Sequence, residues 1–205
     1  ILAAEERGIP CSGGLPMLVA QAWRAAELFT GESIPESRVE DVLGALTAAQ
    51  QNVVLIGMPG CGKTTVGQAL AQRLGKDFVD VDEEIVREAG SIPEIFAREG
   101  EAGFRCRESQ AVREVGCRTG CVISTGGGVV TRPENRDPLR QNGKIIHLLR
   151  DLSLLPSAGR PISQQTPAEE LWRQRKALYA AFADAVIDNN GPLDHTLAQI
   201  ERVLK

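Results

Sequence analysis

The chain has 205 residues, 42% hydrophobic and 24% charged, a balance that fits one globular domain, or one with an appendage, and excludes a disordered or fibrous chain. Its 23 Lys and Arg against 27 Asp and Glu give a formal net charge of −4, so general binding to nucleic acid or to an anionic membrane is not expected. Arginine supplies 18 of the 23 cations, and its planar fork suits carboxylate and phosphate, which makes anionic small molecules the natural ligands. No apolar run approaches the roughly 18 residues that span a bilayer, and no signal-peptide pattern opens the chain. Cys11, Cys61, Cys106, Cys117 and Cys121 form no CxxC or Cys/His cluster, so free thiols and a cytoplasmic location are expected. The first residue is Ile1 rather than Met, as expected of a piece of a longer gene product or of a trimmed chain.

In chain order, Leu15, Leu18, Val19, Ala22, Ala25, Ala26 and Phe29 recur at helical spacing until Gly31 stops them. After Pro35, Ser37 and Glu40 read as an S-x-x-E capping box, with Val39, Val42, Leu43 and Leu46 forming the stripe of a second helix. Residues 1–50 therefore read as a short helical segment that cannot enclose a core alone. From Gln51 the pattern changes to apolar bursts alternating with helices, the rhythm of βαβ units. Strands are expected at Val53–Ile56, Phe78–Val81, Cys121–Ser124, Ile145–Leu149 and Ala185–Ile187. The expected fold of 51–205 is an α/β domain with a five-stranded parallel sheet between helical layers.

Gly57-Met58-Pro59-Gly60-Cys61-Gly62-Lys63-Thr64 matches G-x-x-x-x-G-K-[ST], directly after a strand and before a helix. The glycines let backbone N–H groups turn toward phosphate oxygens, Lys63 reaches the β/γ-phosphates, and the Thr64 hydroxyl suits Mg²⁺. Nucleotide contacts are expected from Gly57, Gly60, Cys61, Gly62, Lys63, Thr64 and Thr65. Asp80 and Asp82 stand two apart at the end of the second strand, so both are expected on one face of it, at the carboxyl end of the sheet where open α/β proteins bind ligands. One suits the metal shell and the other an acceptor hydroxyl. Glu83 and Glu84 read more simply as an acidic helix start. Phe104-Arg105-Cys106-Arg107-Glu108, taken alone, reads as a solvated helical face. Gly126-Gly127-Gly128 is expected where backbone approaches a ligand closely. Gly159-Arg160-Pro161 reads as a loop carrying one arginine, mobile without ligand, and Arg175-Lys176-Ala177-Leu178-Tyr179 begins a final amphipathic run.

The order GMPGCGKTT, VDVDEEI, FRCRE, STGGG, GRPIS and RKALYAAFAD resembles the shikimate kinases, from Val53 to about Asp188. The resemblance implies a three-layer P-loop kinase with ATP as co-substrate and Mg²⁺ as cofactor, transferring the γ-phosphoryl to the 3-hydroxyl of shikimate. It implies that Asp82, Arg105, Gly127, Gly128 and Arg175 hold shikimate, that Asp80 and Ser124 serve the metal through water, and that Arg160 closes over the phosphates. Lys63, Asp82 and Arg160 would then be the catalytic set. The stretch from Leu149 to Arg160 is shorter than the lid of many family members, and the additional lid arginine often found there has no clear counterpart, with Pro156, Ser157 and Ala158 in that region instead. The loop Asn189-Asn190-Gly191-Pro192 is the best candidate for adenine.

Gly13-Gly14-Leu15-Pro16-Met17-Leu18-Val19-Ala20-Gln21-Ala22, ending at Thr30-Gly31, resembles the C-terminal tail of shikimate dehydrogenase over about residues 1–46. There Gln21 would touch substrate, but the nicotinamide-binding fold is absent from this sequence and no dehydrogenase activity is expected. A fused dehydrogenase–kinase gene is the natural parent, and the two helices are expected to fold back on the kinase, to pair with a second copy, or to contact a dehydrogenase domain. Another small-molecule P-loop kinase, such as a gluconate kinase, and a non-catalytic nucleotide-binding module are the alternatives. The first has no need of an arginine pair, and Lys63, Asp82 and Arg160 argue against the second.

Overall fold

A computed structural model describes residues 1–155 and 167–204, which divide into two compact units, Ile1–Gln51 and Asn52–Lys205. In the first unit α1 (Leu2–Glu5) precedes two longer helices, α2 (Gly14–Thr30) and α3 (Glu36–Gln50). Gly31 ends α2 in the left-handed region at φ 72°, where a side chain would be strained, and its N–H caps the Glu27 carbonyl. The Trp23 indole donates to the Ile34 carbonyl at 3.2 Å and Glu27 accepts from the Ile34 N–H at 3.0 Å, which closes the α2–α3 connection. That backbone bond, with Arg24 nearby, holds the Glu27 carboxyl below its usual pKa. The expected capping box is not formed: α3 begins one residue before Ser37, with Pro35 at the cap position and no side-chain cap bond. Proline presets the backbone there without a hydroxyl.

The second unit is built on a parallel sheet of five strands: β1 (Asn52–Ile56), β2 (Asp77–Asp80), β3 (Cys121–Ser124), β4 (Gly143–Leu149) and β5 (Ala185–Asp188), in the order β2-β3-β1-β4-β5. Every residue of β1 is buried, as a central parallel strand covered on both faces requires. The register pairs Val54 with Ile123 on one side and with Ile145 on the other. The Asn52 amide fastens the start of the sheet, donating to the Arg118 carbonyl at 2.6 Å and accepting from the Cys121 N–H at 2.8 Å. This is the α/β five-stranded fold expected from the sequence.

Helix α4 (Lys63–Leu74) follows β1 and buries Val66, Gly67, Leu70 and Ala71, one face at helical spacing. A Cβ on Gly67 would stand within 2.5 Å of the Phe78 ring, so this glycine sets how closely α4 lies on β2. Helix α5 (Val81–Ala89) starts immediately after β2. Next comes α6 (Ile92–Gly116), broken at Gly100, whose φ of 69° and ψ of −175° separate two helical segments. Short α7 (Arg136–Arg140) leads into β4, α8 (Ala168–Phe182) into β5, and α9 (Leu193–Leu204) ends the unit. Helix α8 lies on β4 through a stack of His147, Tyr179 and Trp172, with the His147 and Tyr179 rings 4.8 Å apart. No helix among the described residues is long and apolar enough to cross a membrane.

Candidate active site

The carboxyl ends of β1, β2 and β3 meet at the chain's switch point, where the connection after β1 runs to one side of the sheet and β4 lies on the other. The turn after β1 is the glycine loop, with Gly57, Gly60 and Gly62 at φ of 149°, 80° and 97°, conformations that L-residues rarely adopt. The Lys63 ammonium is buried and donates to the carbonyls of Gly57 at 2.9 Å and Met58 at 3.0 Å, with the Cys61 sulfur at 3.8 Å. The third ammonium donor thus faces only that sulfur, a weak acceptor. Lys63, Thr64, Thr65, Asp80, Asp82 and Ser124 line one polar pocket of about 200 Å³, with Gly60, Gly62 and Thr125 completing the wall.

Asp80 and Asp82 do share this pocket, but not for the reason read from the sequence. Strand β2 ends at Asp80 rather than Val81, and Asp80 caps α5 by accepting the Asp82 N–H at 3.0 Å, so Asp82 lies in the first helical turn. The turn of the helix, not the pleat of a strand, brings the second carboxylate round. The other Asp80 oxygen accepts from the Thr64 hydroxyl at 3.0 Å, which joins the phosphate loop to β2. Glu84 turns away to Arg87 and Arg118, consistent with an acidic helix start.

The FRCRE stretch departs from its expectation as a solvated face. Phe104, Arg105 and Glu108 are buried, and the exposed positions are Cys106 and the partly exposed Arg107. Beyond the break at Gly100, Arg107 grips Glu99 with two bonds of 2.7 and 2.8 Å, which with Arg98 holds that carboxyl at a pKa of about 2. Arg105, on the opposite face, donates to Glu108 at 2.7 Å. Burial pushes the Glu108 carboxyl upward, opposed by Arg105 and reinforced by the charge of Asp82.

Gly126, Gly127 and Gly128 are not in left-handed conformations; they are small because protein groups crowd them. A Cβ on Gly126 would meet Glu108 Oε1 at 2.6 Å and Asp82 Oδ1 at 3.0 Å, one on Gly127 would meet Pro59 at 2.7 Å, and one on Gly128 would run into the Arg105 guanidinium. The buried Arg175 of α8 donates to the Gly127 carbonyl at 3.2 Å, and the Tyr179 hydroxyl donates to the same oxygen at 2.6 Å. Two guanidinium groups from α6 and α8 thus meet at the glycine run that follows β3, with the Asp82 carboxylate beside it. Tyr179 and Glu108 are the members that sequence reading missed, although both stood inside quoted motifs. Arg160, with Gly159 and Pro161, lies outside the described residues. No cluster of three or more His, Cys, Asp or Glu able to hold a metal is present among the described residues.

The chain is similar to known proteins over most of its length. The family model for shikimate kinase matches residues 59–205, and that for the shikimate 5'-dehydrogenase C-terminal domain matches residues 14–43. The chain is 43% identical over 148 residues to a shikimate kinase of Nitrosomonas europaea, covering 67% of this chain and 70% of that protein. It is 42% identical over 165 residues to one of Burkholderia lata, covering 73% and 90%. The structure of shikimate kinase from Acinetobacter baumannii in complex with shikimate superposes with a TM-score of 0.68 at 35% identity, covering 78% of this chain and 96% of that one.

Proposed function

The chain belongs to the shikimate kinase family, and from that premise we propose how its residues divide the reaction. ATP lies with its phosphates on the loop from Gly57 to Thr65, where backbone N–H groups and Lys63 hold the β- and γ-phosphates. Shikimate lies across the Gly126–Gly128 segment, its carboxylate between the forks of Arg105 and Arg175, with Gly127 and Gly128 supplying backbone contacts. Two forks against one carboxylate give charge-assisted bonds with fixed orientation. The ring hydroxyls then face Asp82, which orients the 3-hydroxyl and takes its proton as the oxygen attacks the γ-phosphorus. The new O–P bond forms as the bond to the bridging β,γ oxygen breaks, leaving shikimate 3-phosphate and ADP. Lys63, and Arg160 where it closes over the phosphates, stabilise the charge that gathers on the transferred group.

The donor set beside the loop fits Mg²⁺: the Thr64 hydroxyl directly, and Asp80 and Ser124 through water, all hard oxygen ligands. When bound, the cation would neutralise charge on the β- and γ-phosphates. The observation that carries this reading is that Lys63 and Asp82 line one small pocket while Arg105 and Arg175 meet at the glycine segment beside it. A coupled ADP-release assay with ATP, Mg²⁺ and a panel of hydroxy acids tests it. Turnover is expected with shikimate and not with gluconate, and turnover with gluconate in place of shikimate would refute the assignment of the arginine pair. The helices of the first unit are proposed to pair with a second copy or to contact a dehydrogenase domain, since Met17, Leu18, Leu28 and Phe29 are exposed on α2.

A further inference from the structure

Arg150, the residue after β4, reaches back to the phosphate loop. Its Nη1 stands 3.8 Å from the point that a Cβ on Gly62 would occupy, and the Asn189 amide nitrogen lies 2.9 Å from that same point. The surroundings are fixed by hydrogen bonds. Asn189 donates to the Cys61 carbonyl at 2.7 Å and accepts from Thr196 at 2.8 Å, while the N–H of Asp151 donates to the Asn190 side chain at 2.8 Å. The chain beside Arg150 is therefore tied to the loop after β5, which Asn189 in turn ties to the phosphate loop.

Within this framework Arg150 makes no hydrogen bond or ion pair with any described residue, and its Nε is buried without an acceptor. The site's other two guanidinium groups are both held, Arg105 by Glu108 and Arg175 by the Gly127 carbonyl. A partly buried cation with no counter-charge among the described residues is costly, and the partner it calls for is most economically an anion.

Strand order says which anion. Asp80 and Ser124 stand at the ends of β2 and β3 and Asp82 in the first turn of α5, all on one side of β1, so the γ-phosphoryl must face that side to meet its acceptor. The remainder of the nucleotide must then run over the loop toward β4 and β5, where Arg150 and Asn189 stand. We infer that Arg150 is an ATP-binding residue, its guanidinium carrying the charge of the non-transferring phosphates at the β4 side of the loop. The inference rests on the kinase reading of the site and adds a contact from Arg150 to the one expected of Arg160, the other arginine of the short stretch that follows β4.

The test is direct binding of ADP by isothermal titration to the full chain, to Arg150→Met and to Arg150→Lys, with shikimate kinetics alongside. Arg150→Met should weaken ADP binding and raise the ATP KM by about tenfold or more, the scale of a lost charge-assisted bond, with the shikimate KM unchanged. Arg150→Lys should recover most of the loss, because the charge remains. Without nucleotide, Arg150→Met should melt no lower than the unaltered chain, since an uncompensated cation is removed, whereas loss of a structural contact would lower the melting temperature. ADP affinity of Arg150→Met within about twofold of the unaltered chain, or no recovery in Arg150→Lys, would overturn the inference while leaving the kinase reading intact. Failure of the unaltered chain to bind ADP would overturn both.

Discussion

Glu108 gives the sharpest test of how the shikimate side of the site is held. Its carboxylate is fully buried and takes the Arg105 guanidinium at 2.7 Å, whereas the second acid near Arg105, Glu101, is 3.4 Å away with a 60% exposed side chain. An exposed contact of that length contributes little, so Glu108 is the group that fixes the fork. Glu108→Ala would leave a buried guanidinium without its partner, a loss of about 3 kcal/mol in stability. Glu108→Gln keeps the shape and one acceptor oxygen and removes the charge, which should cost about 1 to 2 kcal/mol. Freed from its partner, Arg105 samples other orientations, and the shikimate KM should rise by about tenfold in Glu108→Gln with the ATP KM unchanged. A coupled ADP-release assay varying each substrate in turn, with urea unfolding for stability, reads both effects. A shikimate KM within about twofold of the unaltered enzyme would refute the claim that Glu108 positions Arg105 for the carboxylate.

Three further outcomes are expected. Lys63→Ala should lower kcat by about two orders of magnitude or more, the scale for one preorganised donor, with the shikimate Kd from equilibrium titration little changed; equal loss in both would show the lysine serving the fold instead. His147 is buried against Tyr179, and desolvation, with Lys63 nearby, depresses its pKa from 6.5 to about 4, so between those values the unfolded chain binds a proton that the folded one refuses. Stability is therefore full above about pH 6.5 and falls on acidification to about pH 4, by an amount on the order of 2 kcal/mol, and His147→Phe should flatten that slope in urea titrations; an unchanged slope would place the titration elsewhere. A chain beginning at Asn52 should retain kinase activity and self-associate less than the full chain by sedimentation, whereas a folded but inactive truncation would show that the first unit takes part in the kinase site.

What could be read from the sequence was what is local. The glycine loop and its helix depend on neighbours within eight residues, and the strands follow from apolar runs that a sheet covered on both faces demands. Asp80 and Asp82 were placed in the right pocket by a wrong geometry, because an aspartate that ends a strand and caps a helix looks the same in sequence as one that continues the strand. Glu108 was missed because FRCRE carries charges on both of its helical faces, and the packing of α6 on the rest of the unit, which has no local signature, decides which face turns inward. The Ser37 box failed in the opposite way, as a local pattern overridden by Pro35. Arg150 lies directly after an apolar strand, where nothing in the sequence tells a solvated arginine from one that stands beside the phosphate loop.

The central claim is the division of the site into a phosphate side at Lys63 and a carboxylate side at Arg105 and Arg175. Two-substrate steady-state kinetics of Arg175→Lys tests it most directly, because a lysine keeps the charge and loses the fork that a carboxylate and the Gly127 carbonyl share. The account predicts a shikimate KM raised by about tenfold or more with an ATP KM within about twofold of the unaltered enzyme. A raised ATP KM with unchanged shikimate saturation would contradict it.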